Sequence, residues 1–193
     1  MIFINPHVFT TGGGQTVVTI GTGTGTSVYA LPFNRNYNYA WTYNMYTQAQ
    51  IATLGSISSI AFDNTLGTDD LTWTSQSIYM KHTSATTAPT ARPTASELTN
   101  NWTLVFSGTI AYDAAYKTIA LDTAFSYNNS DNLLIYYLNY MGTNNINGPV
   151  FYYTTNAANL ATYYRNDTKA TFDANTTGTN LTRHANIKLT IDT

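Results

Sequence analysis

WTLVFSGTI (residues 102–110), AYDAAY (111–116), KTIALDTAF (117–125), SYNNSD (126–131) and NLLIYYL (132–138) follow one another directly. They give three apolar, β-prone runs separated by two polar breaks. In the second run Ile119 and Leu121 fall on one side, while Thr118, Ala120 and Asp122 fall on the other. That period of two predicts a half-buried strand. In the third run Leu133, Leu134, Ile135, Tyr136, Tyr137 and Leu138 are apolar without a break, the pattern of a strand covered on both faces.

The same reading extends outward. Upstream, strands are predicted over 16–20, 39–46, 57–62 and 76–81, the last preceded by Trp73. Downstream they are predicted over 150–153, 161–164 and 186–192. About nine or ten short antiparallel strands joined by turn-rich loops predict an all-β protein, a β-sandwich or jelly roll. Ile60, Phe62, Ile78, Met80, Leu104, Phe106, Ile119, Leu121, Leu134, Ile187 and Leu189 lie on the apolar sides of their runs and are expected between two sheets. Thr47 is a cap for one helical turn stopped by Gly55, and Thr94 with Glu97 forms a capping box for another. Pro89 and Pro93 exclude the long segment 82–93 from a central strand. Residues 165–183 read as a polar loop.

Composition narrows the function. The 193 residues suit one domain, taken as 16–193 behind an arm of 1–15. Charged residues are 9%, against a usual value of about 25%, so the polar surface must be built from Thr, Asn, Ser and Gln. The net charge is −2, with four Lys and four Arg scattered singly. Without a basic stripe, nucleic acid is not expected as a partner. No segment approaches the length of a membrane span, so membrane insertion is not expected. Zero cysteine leaves the fold indifferent to redox conditions. Sixteen tyrosines suit exposed sheet faces and interfaces as well as a core.

Catalytic chemistry is hard to assemble from these residues. His7, His82 and His184 have no ligand spacing, which argues against zinc. Glu97 is the only glutamate, and its capping role leaves a two-carboxylate glycosidase to Asp residues that sit in turns. No G-x-S-x-G elbow is present. The GTGTGT of residues 21–26 lacks the Lys and the following helix of a phosphate loop, and reads as a low-complexity turn. The chain is therefore expected to be non-enzymatic, with no cofactor and no metal. Asp69, Asp70 and Asp131 are the alternative, as loop ligands for calcium. For binding, Tyr37, Tyr39 and Trp41 are the candidates to stack on a glycan, with burial in the core as the competing reading.

The arm has a character of its own. Ile2, Phe3, Ile4, Val8 and Phe9 are apolar, and Gly12, Gly13 and Gly14 make a flexible joint. These features predict an anchor that orders only against a partner, with a frayed tail as the competing reading. The segment is not a signal peptide, since it lacks a basic start and Pro6 interrupts a short apolar run.

Several strand and turn motifs carry a resemblance. IGTGT (20–24), LPF (31–33), SISSIAF (56–62), SIYMKHT (77–83), TLVFSGTI (103–110), TIALDTAFSY (118–127), NLLI (132–135) and NIKLTI (186–191) occur in order along the chain. The series resembles a β-sandwich domain of secreted, multidomain surface proteins and peptidases of Bacteroidota, associated with adhesin-like and carbohydrate-binding-like modules. The matching pieces are structural, so no functional residue carries over. Such proteins carry an export signal and a C-terminal sorting domain, and this sequence shows neither. The resemblance and the arm together imply a phage virion surface protein: a capsid decoration or fibre subunit attached through its arm to other virion subunits or to copies of itself, and contacting host surface glycans. The alternative is a bacterial cell-surface adhesin or carbohydrate-binding module in an extracellular setting.

Overall fold

The computed structural model describes residues 13–27, 30–66, 72–144, 146–174 and 177–193. Among them are thirteen strands and three short helices. In chain order they are β1 (Gln15–Ile20), β2 (Gly25–Ser27), β3 (Tyr39–Tyr46), α1 (Gln48–Ile51), β4 (Gly55–Phe62), β5 (Thr72–Thr83), α2 (Ala95–Asn101) and β6 (Thr103–Ala111). There follow β7 (Thr118–Tyr127), β8 (Asn132–Asn139), β9 (Phe151–Thr155), β10 (Ala161–Asn166), α3 (Lys169–Ala174), β11 (Thr179–Leu181), β12 (Arg183–Ala185) and β13 (Ile187–Asp192). The all-β class is as expected. The strand count exceeds the expected nine or ten because β2, β11 and β12 have three residues each, too few to show a periodicity.

Two sheets face each other and a third closes one end. The first has the order β1-β13-β4-β7, the second β11-β10-β3-β8-β5-β6, and the small third β12-β9-β2. One apolar cluster joins Ile57, Ile60, Phe62, Ile119, Ile187 and Leu189 of the first sheet to Ile78, Met80, Val105, Leu133, Ile135 and Tyr137 of the second. Phe151 and Ala185 bring the third sheet into the same cluster. Packing two apolar faces in this way is the sandwich solution. The other face of the six-stranded sheet is buried as well. Trp41, Tyr43, Met45, Leu134 and Tyr136 form a second cluster with Ala88, Trp102, Leu160 and Phe172. This double burial explains why β8 reads as a continuous apolar run.

Some expected core positions move. Leu134 is buried, but on the second face rather than between the sheets. Phe106 and Leu121 lie half-buried at the margin, and Leu104 is 44% exposed. At Leu104 and Phe106 the cause is a bulge in β6, whereas Leu121 falls in a separate register shift of β7 against β4, between Ala120 opposite Ser59 and Phe125 opposite Ile57. Ile78 pairs with Phe106 and Tyr79 with Leu104, so Val105 is an extra residue and takes the buried place. One inserted residue exchanges the faces of its neighbours. The Thr94–Glu97 capping box forms as read, and Thr47 caps its turn as read, with Gln50 completing a capping box there that the sequence reading did not name. The first helix ends at Ala52, which takes the left-handed conformation (φ 49°), while Gly55 opens β4 instead.

The third sheet is fixed to the second by polar bonds. The Asn44 side-chain oxygen accepts the Ala185 N–H (3.1 Å), and the Tyr46 hydroxyl donates to the Ala185 carbonyl (2.9 Å). At the chain's other edge the Gly14 carbonyl accepts both the N–H (2.8 Å) and the hydroxyl (2.9 Å) of Thr193.

Candidate functional site

Tyr37, Tyr39 and Trp41, the candidates for stacking on a glycan, form no exposed platform, and for Trp41 the competing core reading holds. Trp41 is fully buried among Tyr43, Tyr136 and Tyr164, because the segments that carry Ala88, Trp102 and Phe172 cover that face of the sheet. Tyr39 is half-buried against Tyr140 and Phe172. Tyr37 carries the Arg165 guanidinium 4.5 Å from its ring centre. Ile2, Phe3, Ile4, Val8 and Phe9 lie outside the described residues, and so does the expected attachment to a capsid, a fibre or a second copy. Asp69 and Asp70 also lie outside them, and Asp131 accepts from Asn128 in the β7–β8 turn (2.7 Å). Among the described residues no group of three His, Cys, Asp or Glu could hold a metal ion.

The residues that do converge lie around the GTGTGT segment. Part of it is strand β2, not a turn, and it pairs with β9. Its exposure alternates: Gly21, Gly23 and Gly25 are half-buried, while Thr22, Thr24 and Thr26 face solvent. The glycines allow direct contact. A Cβ would lie 2.3 Å from Asn186 Oδ1 at position 21, 2.3 Å from the Tyr153 carbonyl oxygen at 23 and 2.5 Å from the Tyr153 ring at 25. The backbone therefore lies flat on β9 and Asn186 and presents threonine hydroxyls outward.

A cleft of about 610 Å³ opens beside this strip, lined chiefly by the strip, Thr19, Asp63, Tyr116, Tyr152 and Asn186. Its size is that of a small-molecule site. Asp63, Tyr152 and Asn186 are locked by a closed ring of backbone bonds. Asp63 N–H donates to Asn186 (3.0 Å), Asn186 N–H to Tyr152 (3.0 Å) and Tyr152 N–H to Asp63 (2.9 Å). The buried Asn186 amide donates to the Gly23 carbonyl (2.8 Å) and accepts the Thr154 hydroxyl (2.8 Å). Its nitrogen also lies 3.4 Å from the Asp63 carboxylate.

Tyr116 closes the opposite wall from the β6–β7 turn. It is held at φ 52°, a costly conformation for a bulky residue that tends to occur where function requires it. Burial, hydrogen bonding to the Asp63 carboxylate and that carboxylate's charge together push its hydroxyl up to about 12. The Lys188 ammonium sits 3.7 Å from its ring centre. The cleft thus combines two tyrosine rings, a row of hydroxyls, amide and carbonyl groups, and Asp63 as the one carboxylate among its described lining residues. Such a set suits a neutral, hydroxyl-rich ligand.

Sequence reading missed this site. By sequence Asp63 is one of the Asp residues read as sitting in turns, and Tyr116 ends the polar break of residues 111–116. The available signal was the strict alternation of glycine with threonine, which marks a backbone pressed against something on one side.

No family model matches the chain, and no curated protein matches it. It is similar to a solved structure, the cysteine protease and lectin-like domains of Cwp84, a surface layer associated protein of Clostridium difficile. The identity is 13% and the TM-score 0.46, over 81% of this chain and 32% of that one. This chain spans about a third of that protein's length, and no residue role transfers at such identity. The comparisons give no support to the virion or Bacteroidota setting expected from the motifs.

Proposed function

We propose that this chain is a non-enzymatic, carbohydrate-binding β-sandwich module displayed on a biological surface, and that the Asp63–Tyr116–Tyr152–Asn186 cleft is where it takes a neutral sugar. The cleft carries the reading. Tyrosine rings give an apolar face to a sugar's C–H side. Asp63 and the threonine hydroxyls satisfy its O–H groups, and the backbone ring around Asp63 and Asn186 holds these partners in place before binding. The weakly charged exterior supports it, because such a surface engages partners by hydrogen bonds rather than by charge.

Isothermal calorimetry against a panel of neutral oligosaccharides tests the proposal. At least one should bind. Asp63→Ala and Tyr152→Ala should each weaken that binding at least tenfold with the thermal midpoint held. No binding across the panel, or binding that neither substitution weakens, would sink it.

A further inference from the structure

Tyr152 and Tyr153 are neighbours on β9, so their rings point to opposite faces of the small sheet. Tyr152 faces the Asp63 cleft, and Tyr153 lines a second cleft of about 360 Å³ together with Arg183. We propose that this second cleft is a separate site for the carboxylate of an acidic sugar, a uronate residue, with Arg183 as its anchor. It goes beyond the neutral-sugar reading and does not depend on the Asp63 cleft.

The position of Arg183 follows from chain topology. After β11, at the edge of the six-stranded sheet, the chain bends at Thr182 and enters β12 of the small sheet. Arg183 is the first residue of β12 and stands opposite Thr155. Its guanidinium lies 4.4 Å from the centre of the Tyr153 ring. Gly25 backs that ring so closely that a Cβ there would lie 2.5 Å from Cζ. The ring is thus wedged in place, and the guanidinium is held against it.

The guanidinium is also unpaired. Among the described residues it donates no side-chain hydrogen bond, no carboxylate lies within ion-pair distance, and its Nε is sealed from solvent. By contrast, Lys117 pairs with Asp113, and Arg92 and Lys169 pair with Asp173. A planar cation with its N–H groups unmatched and one edge desolvated favours an incoming anion, and its fork geometry matches a carboxylate.

The rest of the lining selects a sugar over an acidic peptide. Thr155, Asn159, Asn180 and Thr182 are uncharged hydrogen-bonding residues, and no carboxylate stands among the described lining to repel an anion. Asn180 Oδ1 accepts the Thr162 hydroxyl (2.7 Å), which fixes the side chain while its amide nitrogen makes no bond within the described chain. Hydroxyls beside a carboxylate are what a uronate offers to such a set.

Calorimetry and amide NMR titration with a trigalacturonate, its methyl ester and a polyglutamate peptide test the site. The trigalacturonate should bind, more weakly as salt rises, and shift the amides of Tyr153, Thr155, Asn180 and Thr182. Arg183→Gln should cut its affinity at least tenfold, and Arg183→Lys less, while Asp63→Ala leaves it unchanged. Neutral-sugar binding should survive Arg183→Gln, so failure of one site is distinguishable from failure of the other. The proposal is overturned if the trigalacturonate does not bind, if the ester or the peptide shifts the amides of Tyr153, Thr155, Asn180 and Thr182 at as low a concentration, or if the amides the trigalacturonate shifts lie elsewhere. It is also overturned if a folded Arg183→Gln protein binds normally. Should Arg183→Gln not fold, Asn180→Ala and the map of shifted amides in the unaltered protein decide the question.

Discussion

Gly23 has no room for a methyl group: a Cβ would lie 2.3 Å from the Tyr153 carbonyl oxygen and 2.8 Å from the Thr154 Cα, both backbone atoms that cannot swing aside. Gly23→Ala is therefore expected to cost about 1–3 kcal/mol by overpacking, read as a lower urea midpoint. It should also weaken neutral-sugar binding, because Asn186 donates to the Gly23 carbonyl. A few residues away, His184 sets an acid limit. Asn156 Nδ2 donates to the Thr154 carbonyl (3.1 Å) and must therefore also be the donor to His184 Nδ1 (2.7 Å). The proton is left on Nε2, which is buried without a hydrogen bond. Burial lowers the ring's pKa from 6.5 to about 4. The unfolded chain binds this proton first, so stability falls as pH drops from about 6.5 toward 4. The expected loss is roughly 3 kcal/mol across that window. His184→Gln should flatten the stability profile there, and an unchanged profile would show that His184 is not the group responsible.

At the scale of elements, the second face of the six-stranded sheet is covered by pieces that read as loops. Ala88 N–H donates to the Asn159 carbonyl (2.8 Å), the Tyr43 hydroxyl to the Ala91 carbonyl (2.9 Å) and Arg92 to the Phe172 carbonyl (3.0 Å). Helix α3 places Phe172 in the middle, fully buried. Phe172→Ala is expected to cost about 3–5 kcal/mol and to expose Trp41, seen as a red shift in tryptophan emission. The β6 bulge gives a sharper contrast. Val105→Ala should cost about 1.5–3 kcal/mol, whereas Leu104→Ala should stay within about 0.5 kcal/mol. The reverse order in denaturant melts would contradict the bulge. Regular alternation was legible in β7 and continuous burial in β8, because a period needs several residues to show itself. The bulge and α3 were not legible. An extra residue leaves no mark on composition, and α3 is only six residues long with a single buried one, Phe172.

For the whole molecule, tyrosine does much of the work of the core. Burial pushes the hydroxyls of Tyr43, Tyr46, Tyr112, Tyr136 and Tyr137 above the usual value near 10. The unfolded chain loses those protons first, so stability is complete below pH 10 and falls as pH rises beyond it. A sandwich as stable at pH 11.5 as at pH 8 would contradict this burial. The arm should be separable from the fold, since β1 begins at Gln15 and Gly14 is tied to Thr193. We propose that residues 1–12 act as an anchor, in which case removing them leaves the thermal midpoint and sugar binding unchanged and abolishes any assembly that the full chain shows. Light scattering reads the outcome, and a truncated protein that assembles like the full chain would end the anchoring role.

The sequence by itself determined the all-β class, the approximate places of the main strands, the Thr47 cap, the Thr94–Glu97 capping box and the weakly charged surface. These are local properties, set by side-chain period, by residue spacing within one turn and by composition. Only the tertiary structure decided that Trp41 is covered, that Val105 replaces Leu104 in the core, and that Asp63, Tyr116, Tyr152 and Asn186 meet in one cleft. Those outcomes depend on which strands pair across long stretches of chain and on which segment lies over each sheet. The glycine–threonine strip shows both sides of that division. Its alternation was visible from the start, but the surface its glycines press against, β9 and Asn186, is more than a hundred residues away in sequence.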